Sequence, residues 1–188
     1  MKNLSKLVFF SVLGWKLFGD FPKNLNKFVI IVYPHTSWVD FPIAILIKYI
    51  TGIRSSFVGK KSLFKRPYGW FFRYHGGIPI DRSKNQDMVK QIVEEFNTNE
   101  KFVFSLSPEG TRSKAERWKT GFYHIAKGAN VPVIKVALNY EKKEIHIDTP
   151  YILSGDMNHD FKNIQEYFTK AKGLNPSQDT PLNYLLKS

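Results

Sequence analysis

The longest apolar run in the 188-residue chain is FVIIVY at 28–33. With Lys27 at its start, the predicted strand spans Lys27–Tyr33 and has no polar residue after the lysine. A continuous run of that length predicts a strand buried on both faces. Behind it, Asp40–Tyr49 reads as a helix, Ser56–Gly59 as a short strand, Tyr68–Tyr74 as a helix and Gly77–Ile80 as a strand. In 85–97, Met88, Ile92 and Phe96 recur every four residues with Val89 and Val93 beside them, the period of an amphipathic helix. Lys101–Leu106 predicts a strand, Trp118–Ala129 a helix, and Val131–Asn139 a strand that Glu144–Asp148 can pair with. A last helix is predicted over 156–172, with Phe161, Ile164, Phe168 and Ala171 on one stripe, stopped by Gly173 and Pro176. Strands alternating with helices predict an α/β fold with a mostly parallel or mixed central sheet flanked by helices. In such sheets, sites gather where strands end and helices begin.

The first 22 residues differ in pattern. Lysines at 2, 6 and 16 flank an apolar stretch from Leu7 to Trp15. Nine residues are too few to cross a bilayer, which takes about 20. Trp15, Lys16 and Phe18 stand where a signal-peptide cleavage site needs small residues. The pattern predicts an amphipathic helix of four to five turns, ended by Gly19 and Pro22. Its Trp, Phe and Lys content suits the lipid–water interface, and the same pattern suits a helix capping the domain core. The expected organisation is an interfacial helix at 1–21 and one domain at 22–188.

Charge narrows the choice of partner. Lys and Arg number 28 against 16 Asp and Glu, a net charge of +12, which calls for an anionic partner. Between Arg54 and Arg73 there are basic residues at 54, 60, 61, 65, 66 and 73 and no acidic one, interleaved with Phe57, Phe64, Tyr68, Trp70, Phe71 and Phe72. That mixture fits a membrane-docking or ligand-entry surface, and single-stranded nucleic-acid binding shares it. The absence of cysteine excludes a thiol nucleophile, a disulfide framework and Cys-type zinc sites.

Three polar clusters punctuate the apolar framework. The first is PHTSWVDF at 34–41, where His35 and Asp40 follow the buried strand. Residues five apart on one helix point about 140° away from each other. With His35 in the turn and Asp40 in the first helical turn, the two side chains can converge. A carboxylate on one ring nitrogen then fixes the tautomer and leaves the other nitrogen as a base. Asp40 also suits a plain helix N-terminus, where the dipole favours an acid. The second cluster is GGIPIDR at 76–82, which sets Arg82 at a strand end, where its guanidinium can grip a phosphate or carboxylate. The third is SLSPEGTRS at 105–113, a tight loop shaped by Pro108 and Gly110 and carrying Ser107, Glu109, Thr111 and Arg112. Backbone N–H groups and an arginine in such a loop can hold a phosphate.

These blocks, followed by the apolar-Pro-apolar run VPVI at 131–134, resemble the glycerolipid acyltransferase family, typified by 1-acylglycerol-3-phosphate acyltransferases. That family carries a His-x4-Asp block, a Gly-x-x-apolar-apolar-Asp/Glu-Arg block, Glu-Gly-Thr-Arg and an apolar-Pro-apolar block, in this order. Here Pro34 precedes the histidine, Pro79 interrupts the second block, and Lys135 follows the fourth. The resemblance implies a glycerol-3-phosphate acyltransferase-like fold, with His35 as general base and Asp40 orienting it. Arg82 would bind the acceptor's phosphate, helped by Glu109, Gly110, Thr111 and Arg112.

The implied donor is acyl-CoA or acyl carrier protein, and the leading acceptor is the lysophospholipid 1-acylglycerol-3-phosphate. No cofactor and no metal is expected. The expected setting is the anionic cytoplasmic face of a membrane, with no nucleic-acid partner. Val58–Ser62 fails as a phosphate-binding loop because Arg54 stands where glycine is needed. Ser62-Leu63-Phe64-Lys65 lacks the companion motifs of a Ser-x-x-Lys enzyme. His75, His124, His146 and His159 show no metal-ligand spacing.

Overall fold

The computed structural model describes residues 1–80 and 85–182. Seven strands form one sheet in the order β1-β7-β6-β2-β5-β3-β4. At its centre β2 (Lys27–Tyr33) lies parallel to both β5 (Phe102–Leu106) and β6 (Val133–Asn139). Outward from β5 come β3 (Ser56–Lys60) and β4 (Gly77–Ile80), both parallel. On the other side β7 (Glu144–Ile147) runs antiparallel to β6 and carries β1 (Lys16–Phe18) at the edge. The mixed α/β sheet expected from the pattern is the observed one.

Period-two alternation divides the core between the two faces of the sheet. Val29, Ile31 and Tyr33 of β2 point into one cluster, with Phe104, Phe122, Ile125 and Phe161. Phe28 and Ile30 point into the other, with Phe9, Ile43, Ile47 and Ile134. Both faces of the strand are buried, which is why its sequence is apolar throughout. Each fully buried Ile or Phe contributes about 1.5–3 kcal/mol relative to exposure.

The helices follow from the same logic. In α2 (Asp40–Thr51), Ile43, Ile47 and Ile50 form the buried stripe, and Gly52 ends the helix in the left-handed conformation. The short α3 (Gly69–Tyr74) packs on α2 through Phe41 against Phe71 and Phe72. The opposite layer holds α4 (Asn85–Thr98), α5 (Gly121–Ala129) and α6 (Met157–Tyr167). The Asp156 carboxylate caps α6 by accepting from the N–H groups of Asn158 and His159. Trp118, expected inside a helix, lies in the loop before α5 and is buried.

The amino-terminal helix is shorter than its pattern predicts. A regular turn, α1 (Lys2–Lys6), widens into a π-helical stretch over Leu7–Val12. It stops before Gly14, whose φ of +70° leaves the helical region. Residues 16–18, expected in that helix, are β1 instead. The free edge of β7 supplies backbone partners for them, with Lys16 opposite Glu144 and Phe18 opposite His146. Trp15 turns into the core at 6% exposure, so this end is anchored to the sheet.

Candidate active site

Parallel strands align their carboxyl ends, and the first and third polar clusters follow two of those ends. Residues 34–39 follow β2, and residues 107–112 follow β5. His35 and Asp40 meet as expected: Nδ1 lies 2.8 Å from Asp40 Oδ2. The Asp40 side chain is 5% exposed and that of His35 is 30% exposed. An ionised carboxylate only accepts, so Nδ1 carries the proton and Nε2 is left as the basic nitrogen. Nε2 makes no hydrogen bond among the described residues, and His35 lines a cleft.

The same Asp40 oxygen accepts from the Ser37 N–H at 3.0 Å. The other, Oδ1, accepts from the Tyr140 hydroxyl. Three donors thus surround a buried carboxylate, as burial of a charge requires. Ser37, Thr36 and Tyr140 carry no sequence motif. The signal for Tyr140 was its place directly after a predicted strand of the parallel set.

Glu109 is 1% exposed and faces inward. Its Oε2 accepts from the His35 N–H at 2.5 Å and from Ser107 Oγ at 3.2 Å, while Oε1 accepts from the Thr180 N–H at 3.3 Å. The carboxylate is engaged within the protein and ties the loop after β5 to the loop after β2. Gly110 adopts φ +66°, which turns the chain outward. Thr111 and Arg112 then reach the cleft, Arg112 as an exposed side chain. Arg82 lies outside the described residues.

A carboxy-terminal strap closes the base of the site. Asn175 donates its side-chain amide to the Thr36 carbonyl at 2.9 Å and its N–H to Thr36 Oγ1 at 3.2 Å. The Tyr33 hydroxyl donates to the Thr180 carbonyl at 2.7 Å. Burial pushes the Tyr33 phenol well up, with Asp179 and Glu109 adding to the effect. Burial also pushes the Asp179 carboxyl up, helped by Glu109 and opposed by the Gly173 N–H that donates to it.

The cleft encloses about 2240 Å³. Much of its wall is apolar, including Phe41, Ile45, Phe57, Leu63, Phe72 and Val89. Its cations are Lys48, Lys60, Lys90, Arg112, Arg117 and Lys119, against the carboxylates of Asp40 and Glu116. Burial pushes the Lys48 ammonium below its ordinary value, and Arg54 repels it further. Its Nζ donates to the His75 carbonyl at 2.9 Å. Burial, then Lys48, likewise lowers His75. Such a cleft suits a ligand with a long apolar part and an anionic end.

Fold and site define an α/β protein with a histidine–carboxylate pair at the carboxyl edge of its parallel strands. A family model described as Acyltransferase matches residues 20–139, and the chain belongs to that family. The 1-acyl-sn-glycerol-3-phosphate acyltransferase of Haemophilus influenzae is 31% identical over 111 residues, 55% of this chain and 46% of that protein. Its Escherichia coli counterpart is 33% identical over 98 residues, 48% and 40% of the two chains. The epsilon form of the mouse enzyme is 30% identical over 141 residues, 70% and 38%. The chain therefore spans less than half the length of these relatives. Among solved structures, the 1-acyl-sn-glycerophosphate (LPA) acyltransferase PlsC from Thermotoga maritima superposes with a TM-score of 0.62 at 22% identity. That match covers 88% of this chain and 74% of PlsC, and shows a shared fold.

Proposed function

We propose that the protein transfers a fatty acyl group from an acyl thioester to the hydroxyl of a lysophospholipid. The leading acceptor is 1-acylglycerol-3-phosphate, the product being phosphatidate. The observation that carries this reading is the 2.8 Å contact between His35 Nδ1 and Asp40 Oδ2 at the mouth of a largely apolar cleft. Nε2 of His35 takes the hydroxyl proton as the oxygen attacks the thioester carbonyl. Asp40 stabilises the imidazolium that forms. The C–S bond of the tetrahedral intermediate then breaks, and the departing sulfur receives the proton from His35. Transfer is direct, in keeping with a chain that lacks cysteine and a Gly-x-Ser-x-Gly elbow.

Acyl-CoA or acyl carrier protein serves as donor; both are anionic, and the cations of the cleft suit either. Arg112, with Arg82 by family resemblance, takes the acceptor's phosphate. Glu109 acts by holding the backbone of His35. No cofactor or metal has a part in this scheme.

The reaction takes place at an anionic membrane surface. Among the described residues no helix is long and apolar enough to cross a membrane. Leu4 on α1, Leu7 and Phe10 on the π-helical stretch after it, Trp38 beside the His35–Asp40 pair, and Trp70 and Tyr74 on α3 all stand exposed. Exposed Lys60, Lys65, Arg66 and Arg73 accompany the aromatic residues of α3. Basic residues near an anionic leaflet gain about 1 kcal/mol each.

The test is release of free thiol from acyl-CoA and from acyl carrier protein, across a panel of hydroxyl acceptors. Expected is acceptor-dependent release, strongest with 1-acylglycerol-3-phosphate, that falls by about 10² or more in His35→Ala. Near-wild-type release by that variant, or release indifferent to the acceptor, overturns the reading. Sedimentation with liposomes tests the membrane part, and binding indifferent to anionic lipid content rejects it.

A further inference from the structure

A buried carboxylate has two oxygens to satisfy, and His35 occupies one of them. Asp40 Oδ2 takes the imidazole at 2.8 Å and the Ser37 N–H at 3.0 Å. For Oδ1, the Tyr140 hydroxyl is the donor among the described residues. We infer that Tyr140 is a positioning residue of the proposed acyl transfer, fixing the plane and the charge of Asp40 so that Oδ2 stays on His35. This inference rests on the His35–Asp40 reading above and adds a residue outside the 20–139 region of the family match.

The surroundings of Tyr140 suit that role. The residue follows β6 at the same carboxyl edge that carries His35. Its backbone N–H donates to the Lys172 carbonyl at 2.9 Å. Its ring meets Trp15 edge to face, with centroids 4.9 Å apart and planes at 87°. Backbone and ring are thus both held, and the hydroxyl has little freedom to leave Asp40. Burial, and then its bond to Asp40, raises the phenol well above its ordinary value, which keeps the hydroxyl protonated and donating near neutral pH. Tyr140 is not among the residues lining the cleft, so it touches neither donor nor acceptor.

The physical consequence concerns the charge on Asp40. Without the hydroxyl, Oδ1 is a desolvated oxygen with no donor among the described residues, and a carboxylate so placed takes up a proton more readily. A protonated Asp40 no longer stabilises the imidazolium. Loss of the hydroxyl therefore weakens the acidic side of the activity profile first. The other carboxylates nearby, Glu109 and Asp179, keep their backbone N–H donors, and Asp179, which Asp40 repels, follows any loss of charge there. Trp15 adds a link to the amino terminus: its N–H donates to the Phe9 carbonyl at 3.0 Å. The helix proposed to meet the membrane is thus connected to the catalytic carboxylate through Trp15 and Tyr140.

The experiment uses the full chain, assayed by thiol release with 1-acylglycerol-3-phosphate. Tyr140→Phe keeps the ring and removes the oxygen. It is expected to lower kcat by about 10- to 100-fold, leave both KM values within about twofold, and move the acidic limb of kcat/KM to higher pH. In an Asp40→Asn background the same change has no further effect on kcat, because the two groups act as one unit. Incorporating 3-fluorotyrosine at 140 preserves shape and folding while strengthening the donor, and shifts the acidic limb to lower pH. An unmoved limb in both Tyr140 variants overturns the inference. So does an equal loss with and without Asp40, which is the mark of a merely structural residue. Full activity in His35→Ala sinks the underlying acyl-transfer reading instead. An inactive His35→Ala beside an unchanged Tyr140→Phe removes Tyr140 alone.

Discussion

The backbone N–H of His35 donates to the carboxylate of Glu109 at 2.5 Å, across 74 residues of sequence. Two of the polar clusters along the chain are thereby one structure: the glutamate of the loop after β5 sets the position of the histidine in the loop after β2. Glu109→Gln retains the volume and loses the charge that strengthens these bonds. Hydrogen bonds to a charged group contribute about 1.5–3 kcal/mol each, and a destabilisation of that order is expected. kcat falls by about tenfold or more as His35 shifts, since placement errors near 1 Å cost about 10². Urea unfolding and steady-state kinetics measure the two effects, and unchanged kcat in a destabilised variant separates stability from positioning.

Gly110 lies at φ +66° in the same loop, and a Cβ there would come within 2.9 Å of the Lys119 chain. The lysine can swing aside; the backbone strain remains, at about 1–2 kcal/mol for a side chain in the left-handed region. Gly110→Ala is expected to lose that stability and also activity, because Thr111 and Arg112 are re-aimed. Gly52→Ala, at φ +80° with open space around it, bears the same strain at the end of α2. It should lose stability alone. Thermal melts and thiol-release assays on both variants make the comparison.

Thr36 joins the loop of His35 to the carboxy-terminal strap. Thr36→Val preserves the branched shape and removes the acceptor of the Asn175 N–H. A loss of about 1 kcal/mol is expected from the missing bond, together with a lower kcat and unchanged KM for the acceptor. Chemical denaturation and kinetics test it, and an unaltered kcat would show that the strap stabilises the fold without positioning the base.

Asp179 yields a prediction in pH. Burial, with repulsion from Glu109, holds its carboxyl above the ordinary value of 3.8. The native state therefore binds this proton more tightly than the unfolded chain does. Stability from this group is present below about 3.8 and is lost as pH rises through the raised native value. Asp179→Asn removes the penalty. The variant should melt higher than wild type at pH 7, and the difference should shrink towards pH 3.8 and below. Melting curves across that range decide the matter, and a difference independent of pH contradicts it.

The amino-acid sequence by itself determined the framework. Apolar runs such as 27–33 and the four-residue repeat of Ile92 and Phe96 are local consequences of burial, so strands and helices were legible to within a few residues. The contact between His35 and Asp40 was legible because the two residues are only five apart. Tertiary structure decided what depends on distant partners. Residues 16–18 became a strand because β7 offers a free edge, which no local pattern announces. Glu109 turned inward to the His35 backbone, Tyr140 reached Asp40 across 100 residues, and the strap at 173–180 closed beneath Thr36. Local periodicity encodes which face of an element is buried. It carries no information on which polar group, brought near by the packing of the sheet, will satisfy a carboxylate that burial has cut off from water.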